Sequence, residues 1–283
     1  MNASDIVSQL HELPPLPDNC ARLEELMNDP AATFADMTRV IETDVGLASQ
    51  VLKLANSAHH YVAGGVQSLE KAVIYLGTTT VYQMVLCMQS HQILGGEGRS
   101  MPEFLAGHSV ATGLIAKHLS ERVGLTLPDR AFAAGLLHDF GRVALWVLFP
   151  PLMRSYSEAI AKGGAHGVAL ELEVLGIDHQ QVGAELALHW KYPRSLAWVV
   201  SDHHGPGQEV MQKAEEDHRR VADIVAVADF WSWGIGWVGH DKGVPAPVDP
   251  KRVERLALSQ EPAEDTRELL DKVAAQVRSY LVS

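Results

Sequence analysis

The chain reads as an all-α protein. Three observations predict it. Apolar residues recur at three and four positions along nearly its whole length. Cap and stop residues fall between those runs. Nowhere does an alternation of period two mark a strand, and there is no repeat or low-complexity segment. The expected organisation is an N-terminal helical subdomain over residues 1–97 packed on a C-terminal helical bundle over 98–283.

Leu23, Leu26 and Met27, then Met37, Val40 and Ile41, each trace one face of an amphipathic helix. Asp44 is placed to cap a helix through Leu47, Val51, Leu52 and Leu54. Ser68 starts another, which Gly77 stops. Thr78 or Thr79 opens a helix carrying Val81, Met84, Val85 and Met88. Gly95-Gly96-Glu97-Gly98 and Pro102 break the pattern, and this is where the boundary is expected. It is too short for a free linker, so the halves are expected to pack together. Beyond it, one helix holds His108 and the next carries His138-Asp139. Pro150-Pro151 ends or kinks the helical path at that point. Asp178 caps a helix with His179 in its first turn. Pro193 begins a helix that ends near His203-His204, and Gly205-Pro206-Gly207 is a loop. A helix from about Asp217 carries Asp229. Asp249-Pro250 is a cap-plus-first-turn pair, and Pro262 begins a final amphipathic helix through Leu269, Leu270, Val273, Val277 and Leu281.

Composition removes several function classes. Apolar residues make up 47% and the formal net charge is −12. That is a globular composition with ample core, and its acidic surface opposes nucleic-acid binding. Cys20 and Cys87 make no disulfide framework, and the chain opens on no basic, apolar leader. A cytoplasmic protein is expected. The apolar runs are too short to span a bilayer, so no membrane partner is expected.

The chemistry concentrates in histidines and carboxylates. His138-Asp139 follows Ala134-Gly-Leu-Leu, so both polar side chains enter an otherwise buried stretch. A buried carboxylate is costly unless paired or metal-bound. Asp229 has the same problem, between Ile224-Val-Ala-Val-Ala228 and Phe230-Trp231; a buried hydrogen bond or an arginine partner would also explain it. His108 lies between Leu105 and Val110 and is expected to point inward. Adjacent residues on a helix diverge by about 100°, so His203 and His204 cannot both reach one metal from a regular helix. At a helix end, one would serve as ligand and the other as a phosphate contact. His59, His60, His118, His166, His189, His218 and His240 read as surface or satisfied core residues. Together the candidates make a mixed nitrogen and oxygen site suited to iron, manganese, zinc or magnesium, and the donor types do not choose among them.

The order His108, His138-Asp139, Asp229 resembles the metal-ligand order of the HD superfamily of metal-dependent phosphohydrolases. The chain from Leu13 to about Trp231 resembles its HDOD family, the HD-related output domains of bacterial signalling proteins. The similar pieces are Leu13-Pro-Pro-Leu-Pro17, Ile41-Glu-Thr-Asp-Val-Gly-Leu-Ala-Ser-Gln-Val-Leu-Lys-Leu-Ala-Asn-Ser57, Ala72-Val-Ile-Tyr-Leu-Gly77, His108-Ser109, Ala134-Gly-Leu-Leu-His-Asp-Phe-Gly141, Gly176-Ile-Asp-His179 with Gly183, and His203-His204. The resemblance implies an N-terminal helical subdomain packed on an HD-like bundle, and a role in bacterial signal transduction.

Three positions depart from the active enzymes. Arg142 stands where they commonly carry lysine. The Gly-Tyr-Pro signature of the cyclic di-GMP phosphodiesterases is missing after His203-His204. Phe104 stands where some of them have a glutamate ligand. Two functions therefore remain. One is a regulatory output module that works by contact with a signalling protein. The other is a metal-dependent phosphohydrolase acting on a nucleotide or other phosphoester. In that scheme His108, His138, Asp139 and Asp229 hold the metal, while His179 and His203 or His204 hold a second metal or the phosphate. Asp139 and Arg142 are the candidate catalytic residues, Arg142 neutralising the substrate.

Overall fold

The computed structural model describes residues 3–58, 66–95, 103–125, 128–162, 167–205, 216–233, 247–258 and 264–282. The break at residues 96–102, with the expected boundary, lies outside them, as do His59, His60, His166, Pro206, Gly207, His240 and Pro262. Among the described residues there are helices and no strand, so the fold is all-α.

The helices before residue 96 are α1 (Ala3–His11), α2 (Asp18–Asn28), α3 (Phe34–Glu42), α4 (Val45–Ala58), α5 (Leu69–Leu76) and α6 (Thr78–Gly95). Local side-chain bonds set their starts. Thr33 and Asp36 form a capping box on α3. Asp44 Oδ1 accepts from the Leu47 N–H at 3.0 Å, and Ser68 Oγ from the Lys71 N–H at 3.2 Å. Gly77, at φ 78°, ends α5 in a conformation that disfavours any side chain. α6 is buried through Val81, Tyr82, Met84, Val85, Leu86 and Cys87, and it packs on later helices as well as on its neighbours.

The helices after residue 102 are α7 (Glu103–Arg122), α8 (Pro128–Leu137), α9 (Phe140–Leu148), α10 (Pro150–Ala161), α11 (Val168–Leu175), α12 (His179–His189), α13 (Arg194–Asp202), α14 (Glu216–Trp233), α15 (Pro250–Arg255) and α16 (Glu264–Val282). Asp178 caps α12, its side chain accepting from the Gln181 N–H, and Asp249 caps α15 through the Lys251 N–H. Leu13 and Pro14 are tied to a distant part of the chain. Their carbonyls accept from His189 Nε2 at 3.0 Å and Trp190 Nε1 at 2.9 Å.

Two pairs of glycines bring the backbones together where the polar residues lie. A Cβ on Gly135 of α8 would sit 2.7 Å from the Gly113 Cα of α7. A Cβ on Gly141 of α9 would sit 1.9 Å from the His179 carbonyl and 2.5 Å from the Gly183 nitrogen of α12. The first contact sets His138 beside His108, and the second sets Asp139 beside His179.

His138 and Asp139, expected inside a helix, instead form the turn between α8 and α9. Asp139 has φ −91° and ψ 18°, the bridge region where the helical path breaks. On a continuous helix the two side chains would diverge. The break lets both face the same interior point. Arg130–Leu148, which crosses this turn, is apolar and long enough to span a membrane by composition, yet 89% of its most apolar stretch is buried inside the fold.

Candidate metal centre

Five pieces of chain converge on one buried point: α7, the α8–α9 turn, the start of α12, the end of α13 and α14. The first ligand group is His108, His138, Asp139 and Asp229. His108 Nε2 lies 3.1 Å from His138 Nε2, 3.0 Å from Asp229 Oδ1 and 3.5 Å from Asp139 Oδ2. His138 Nε2 lies 3.6 Å from each of those carboxylate oxygens. The donor atoms of His108, His138 and Asp139 all lie within 4.8 Å of one another, close enough to share one cation, and Asp229 Oδ1 approaches both imidazoles.

The hydrogen bonds behind the rings fix which nitrogens face that space. His138 Nδ1 donates to the Gly135 carbonyl at 2.7 Å. Ser232 Oγ donates to the Asp229 carbonyl at 2.7 Å, so its oxygen accepts from His108 Nδ1 at 2.9 Å. Both Nε2 atoms therefore present lone pairs to one another at 3.1 Å, which is unfavourable without a cation, proton or metal, between them. Burial lowers the His138 pKa, but the Asp139 and Asp229 carboxylates outweigh it and raise it. Burial raises Asp139 and Asp229 in turn. Arg142 and His138 hold Asp139 well below the usual carboxylate range, and the imidazoles of His108 and His138 do the same for Asp229.

The second group shares Asp139. Its Oδ1 lies 3.3 Å from His179 Nε2 and 3.6 Å from His203 Nε2, and those two nitrogens are 3.1 Å apart. His203 Nδ1 donates to the Val199 and Val200 carbonyls, so its Nε2 also carries a lone pair. Burial pushes the His203 imidazole down to about 4, and burial, with His203 beside it, holds His204 well below the usual imidazole range. His204 Nε2 lies 3.6 Å from Asp229 Oδ2. Both of these histidines reach the centre because α13 ends at Asp202 and they lie in the turn beyond it.

The residues fit a divalent cation. Asp139 Oδ1 and Asp229 Oδ1 are buried and receive no hydrogen bond, although they face imidazole nitrogens. A buried carboxylate oxygen left this way is costly, and a metal would satisfy it.

The structure thus brings together all eight residues picked out by sequence. Arg142 occupies a different place from the one its expected role needs. It is 4% exposed, and its Nη1 donates to Asp139 Oδ2 at 2.8 Å while Nε and Nη2 reach Glu171 Oε1 at 3.3 and 3.2 Å. Phe104 packs edge-on against Trp146, with ring centroids 5.5 Å apart. Sequence reasoning missed Glu171 and Ser232. Glu171 is fully buried, with Oε2 2.5 Å from His179 Nδ1. Its one signal was a charge inside Val168-Ala-Leu-Glu-Leu-Glu-Val-Leu175, eight residues before His179. Burial raises its pKa, and the His179 and Arg142 charges more than reverse the effect.

Comparison with known proteins bears on the same residues. The chain is 22% identical to an HDOD domain protein of unknown function from Geobacter sulfurreducens, with a TM-score of 0.69 over 99% of this chain and 98% of that one. It is 25% identical to a "putative phosphohydrolase" from Shewanella amazonensis SB2B, with a TM-score of 0.63 over 96% and 97% of the two chains. An uncharacterized protein of Treponema pallidum (strain Nichols) is 23% identical over 229 residues, 81% of this chain; the chain spans 44% of that protein's length. The HDOD domain family matches residues 13–206, which carry His108, His138-Asp139, Arg142, Glu171, His179, His203 and His204, while Asp229 lies beyond the match. By the extent of that match, this chain belongs to the HDOD family.

Proposed function

We propose that the chain is a cytoplasmic regulatory output domain that acts by contact with a signalling protein and is built round an HD-type metal centre. The observation that supports this reading is a buried cluster of candidate ligands with, among the described residues, a small cavity beside it. The cavity lined by His203, His204, Asp229, Pro247, Val248 and Arg252 has a volume of about 30 Å³. That is room for about two water molecules. Sites for small organic ligands run to about 300–1,000 Å³. The cation expected to meet a substrate, Arg142, is instead committed to Asp139 and Glu171.

His108, His138, Asp139 and Asp229 would hold one divalent cation, and Asp139, His179, His203 and His204 a second. Such an ion supplies Lewis acidity when bound. In an interaction domain its charge also ties together five pieces of chain that would otherwise carry unbalanced carboxylates. Phe34, Val45 and Ile74, exposed on α3, α4 and α5, offer apolar surface to a protein partner.

A second reading, a metal-dependent phosphohydrolase, is favoured by one feature. Asp139 turns one oxygen to each ligand group, an arrangement that would suit two adjacent cations acting on a phosphoester. Metal analysis of the purified chain, followed by a phosphoesterase screen of nucleotides and cyclic dinucleotides, separates the two. Bound metal without turnover is the expected outcome. Turnover that disappears in His138→Ala and Asp139→Ala would overturn the regulatory reading. A chain that neither retains nor takes up metal would remove the metal centre from both.

A further inference from the structure

We propose that Glu171 is a positioning residue for the second ligand group, holding His179 in the Nδ1-protonated tautomer so that Nε2 receives a metal ion beside Asp139. The inference rests on the metal reading of the centre and deepens it.

The geometry assigns the role. One carboxylate oxygen of Glu171, Oε2, accepts from His179 at two points. The ring Nδ1 lies 2.5 Å away and the backbone N–H 2.9 Å away. Two bonds from one atom fix both the ring plane and the start of α12. Arg142 Nη2 lies 3.2 Å from the same Nδ1, but a guanidinium only donates, so the short carboxylate contact decides where the ring proton sits. With Nδ1 protonated, Nε2 is left as a lone pair 3.3 Å from Asp139 Oδ1 and 3.1 Å from His203 Nε2.

Glu171 also reaches the other shared ligand. Its Oε1 accepts from Arg142, whose Nη1 donates to Asp139 Oδ2 at 2.8 Å. A single buried carboxylate therefore braces His179 directly and Asp139 through one guanidinium. The other imidazoles have weaker supports. His138 and His203 donate to backbone carbonyls, and His108 to the Ser232 hydroxyl. Among these four, His179 alone is backed by a charge. A carboxylate behind a ligating imidazole raises its basicity and locks its orientation, and losing such a partner commonly weakens metal binding about 10–100-fold.

The competing role is purely structural, a counter-ion for Arg142. Glu171→Gln separates the two, because it keeps the shape and an acceptor oxygen but removes the charge. The full chain, freed of metal, is titrated with Co²⁺ by calorimetry and visible absorption, and the fold of each variant is checked by circular dichroism. The wild type is expected to take up two equivalents. Glu171→Gln should weaken one of them about 10–100-fold and leave the other within about threefold. His179→Ala should remove that same equivalent. If Glu171→Gln lowers thermal stability while both affinities stay unchanged, Glu171 is only a counter-ion and the proposal fails. If the wild type takes one equivalent and His179→Ala leaves it intact, the proposal fails while a metal at the first group stands. If it takes none, both fall. Should Glu171→Gln not fold, nitrogen-15 NMR of the wild type decides. A His179 ring protonated at Nδ1, with its proton far downfield, supports the role, and protonation at Nε2 overturns it.

Discussion

The helices before residue 96 and those after residue 102 bury different chemistry. Among the described residues, the buried polar side chains of the first region are Thr38, Thr80, Gln83, Gln89 and Ser90, none of them charged. The second region buries Asp139, Arg142, Glu171, Asp178, Asp223, Asp229 and Arg252 as well as His108, His138, His179 and His203. The first region is held by apolar burial and local caps, so its stability is the sum of many small contributions. The second depends on matching charges in an environment where an unmatched one costs several kcal/mol. Around the centre three carboxylates, Asp139, Glu171 and Asp229, face one guanidinium, that of Arg142. A divalent cation would offset that imbalance, as would a proton on His138.

The largest expected effect breaks this balance. Arg142→Ala leaves Asp139 and Glu171 buried without their shared counter-ion. Urea unfolding of the metal-free protein should show a loss of about 3–5 kcal/mol. The control in the first region is Gln83→Met. Gln83 Oε1 is buried without a hydrogen bond, so replacing that amide should change stability by less than about 1 kcal/mol in either direction. Comparable losses in the two variants would mean that the regions do not differ as described.

Gly141→Ala comes next. The added methyl carbon would meet the His179 carbonyl at 1.9 Å and the Gly183 nitrogen at 2.5 Å, and both are backbone atoms that cannot rotate away. α9 and α12 must separate, which carries Asp139 away from His179. Thermal or urea unfolding should report about 3 kcal/mol of destabilisation. Co²⁺ uptake should fall at the second group more than at the first. Equal loss at both groups would mean that this contact does not set the geometry of the second one.

These contacts also explain what the sequence made legible. The caps at Asp44, Ser68, Asp178 and Asp249 were readable because a side chain bonds its own backbone within three residues. His138, Asp139 and Asp229 were readable because each interrupts an apolar run. The turn at His138-Asp139 was not, since the apolar pattern on either side continues helical periodicity straight through it. Glu171 was hidden by Glu173. Two carboxylates share one short helix, and only the packing of α11 against α10 and α12 decides that the first is buried and the second exposed. The joint use of His203 and His204 depended on α13 stopping at Asp202, a boundary one residue wide. Contacts between distant segments, rather than propensity, settle all three.

The smallest expected effect lies on the surface of the first region. Val45, at the start of α4, is 81% exposed, and Phe34 and Ile74 are 45% and 51% exposed. Val45 contributes little to folding, because most of its apolar area stays in water in the free chain. Val45→Lys should change unfolding free energy by no more than about 0.5 kcal/mol. Co²⁺ uptake should be unchanged, since the centre is built wholly from residues after 102. A loss well above 1 kcal/mol would show that Val45 is covered within the protein's own assembly, and then concentration-dependent sedimentation should reveal the covering copy. A silent variant leaves the apolar surface free for another protein. On the proposed reading, the charged centre and these exposed apolar residues would then be separable by mutation, the one expected to carry metal and the others contact.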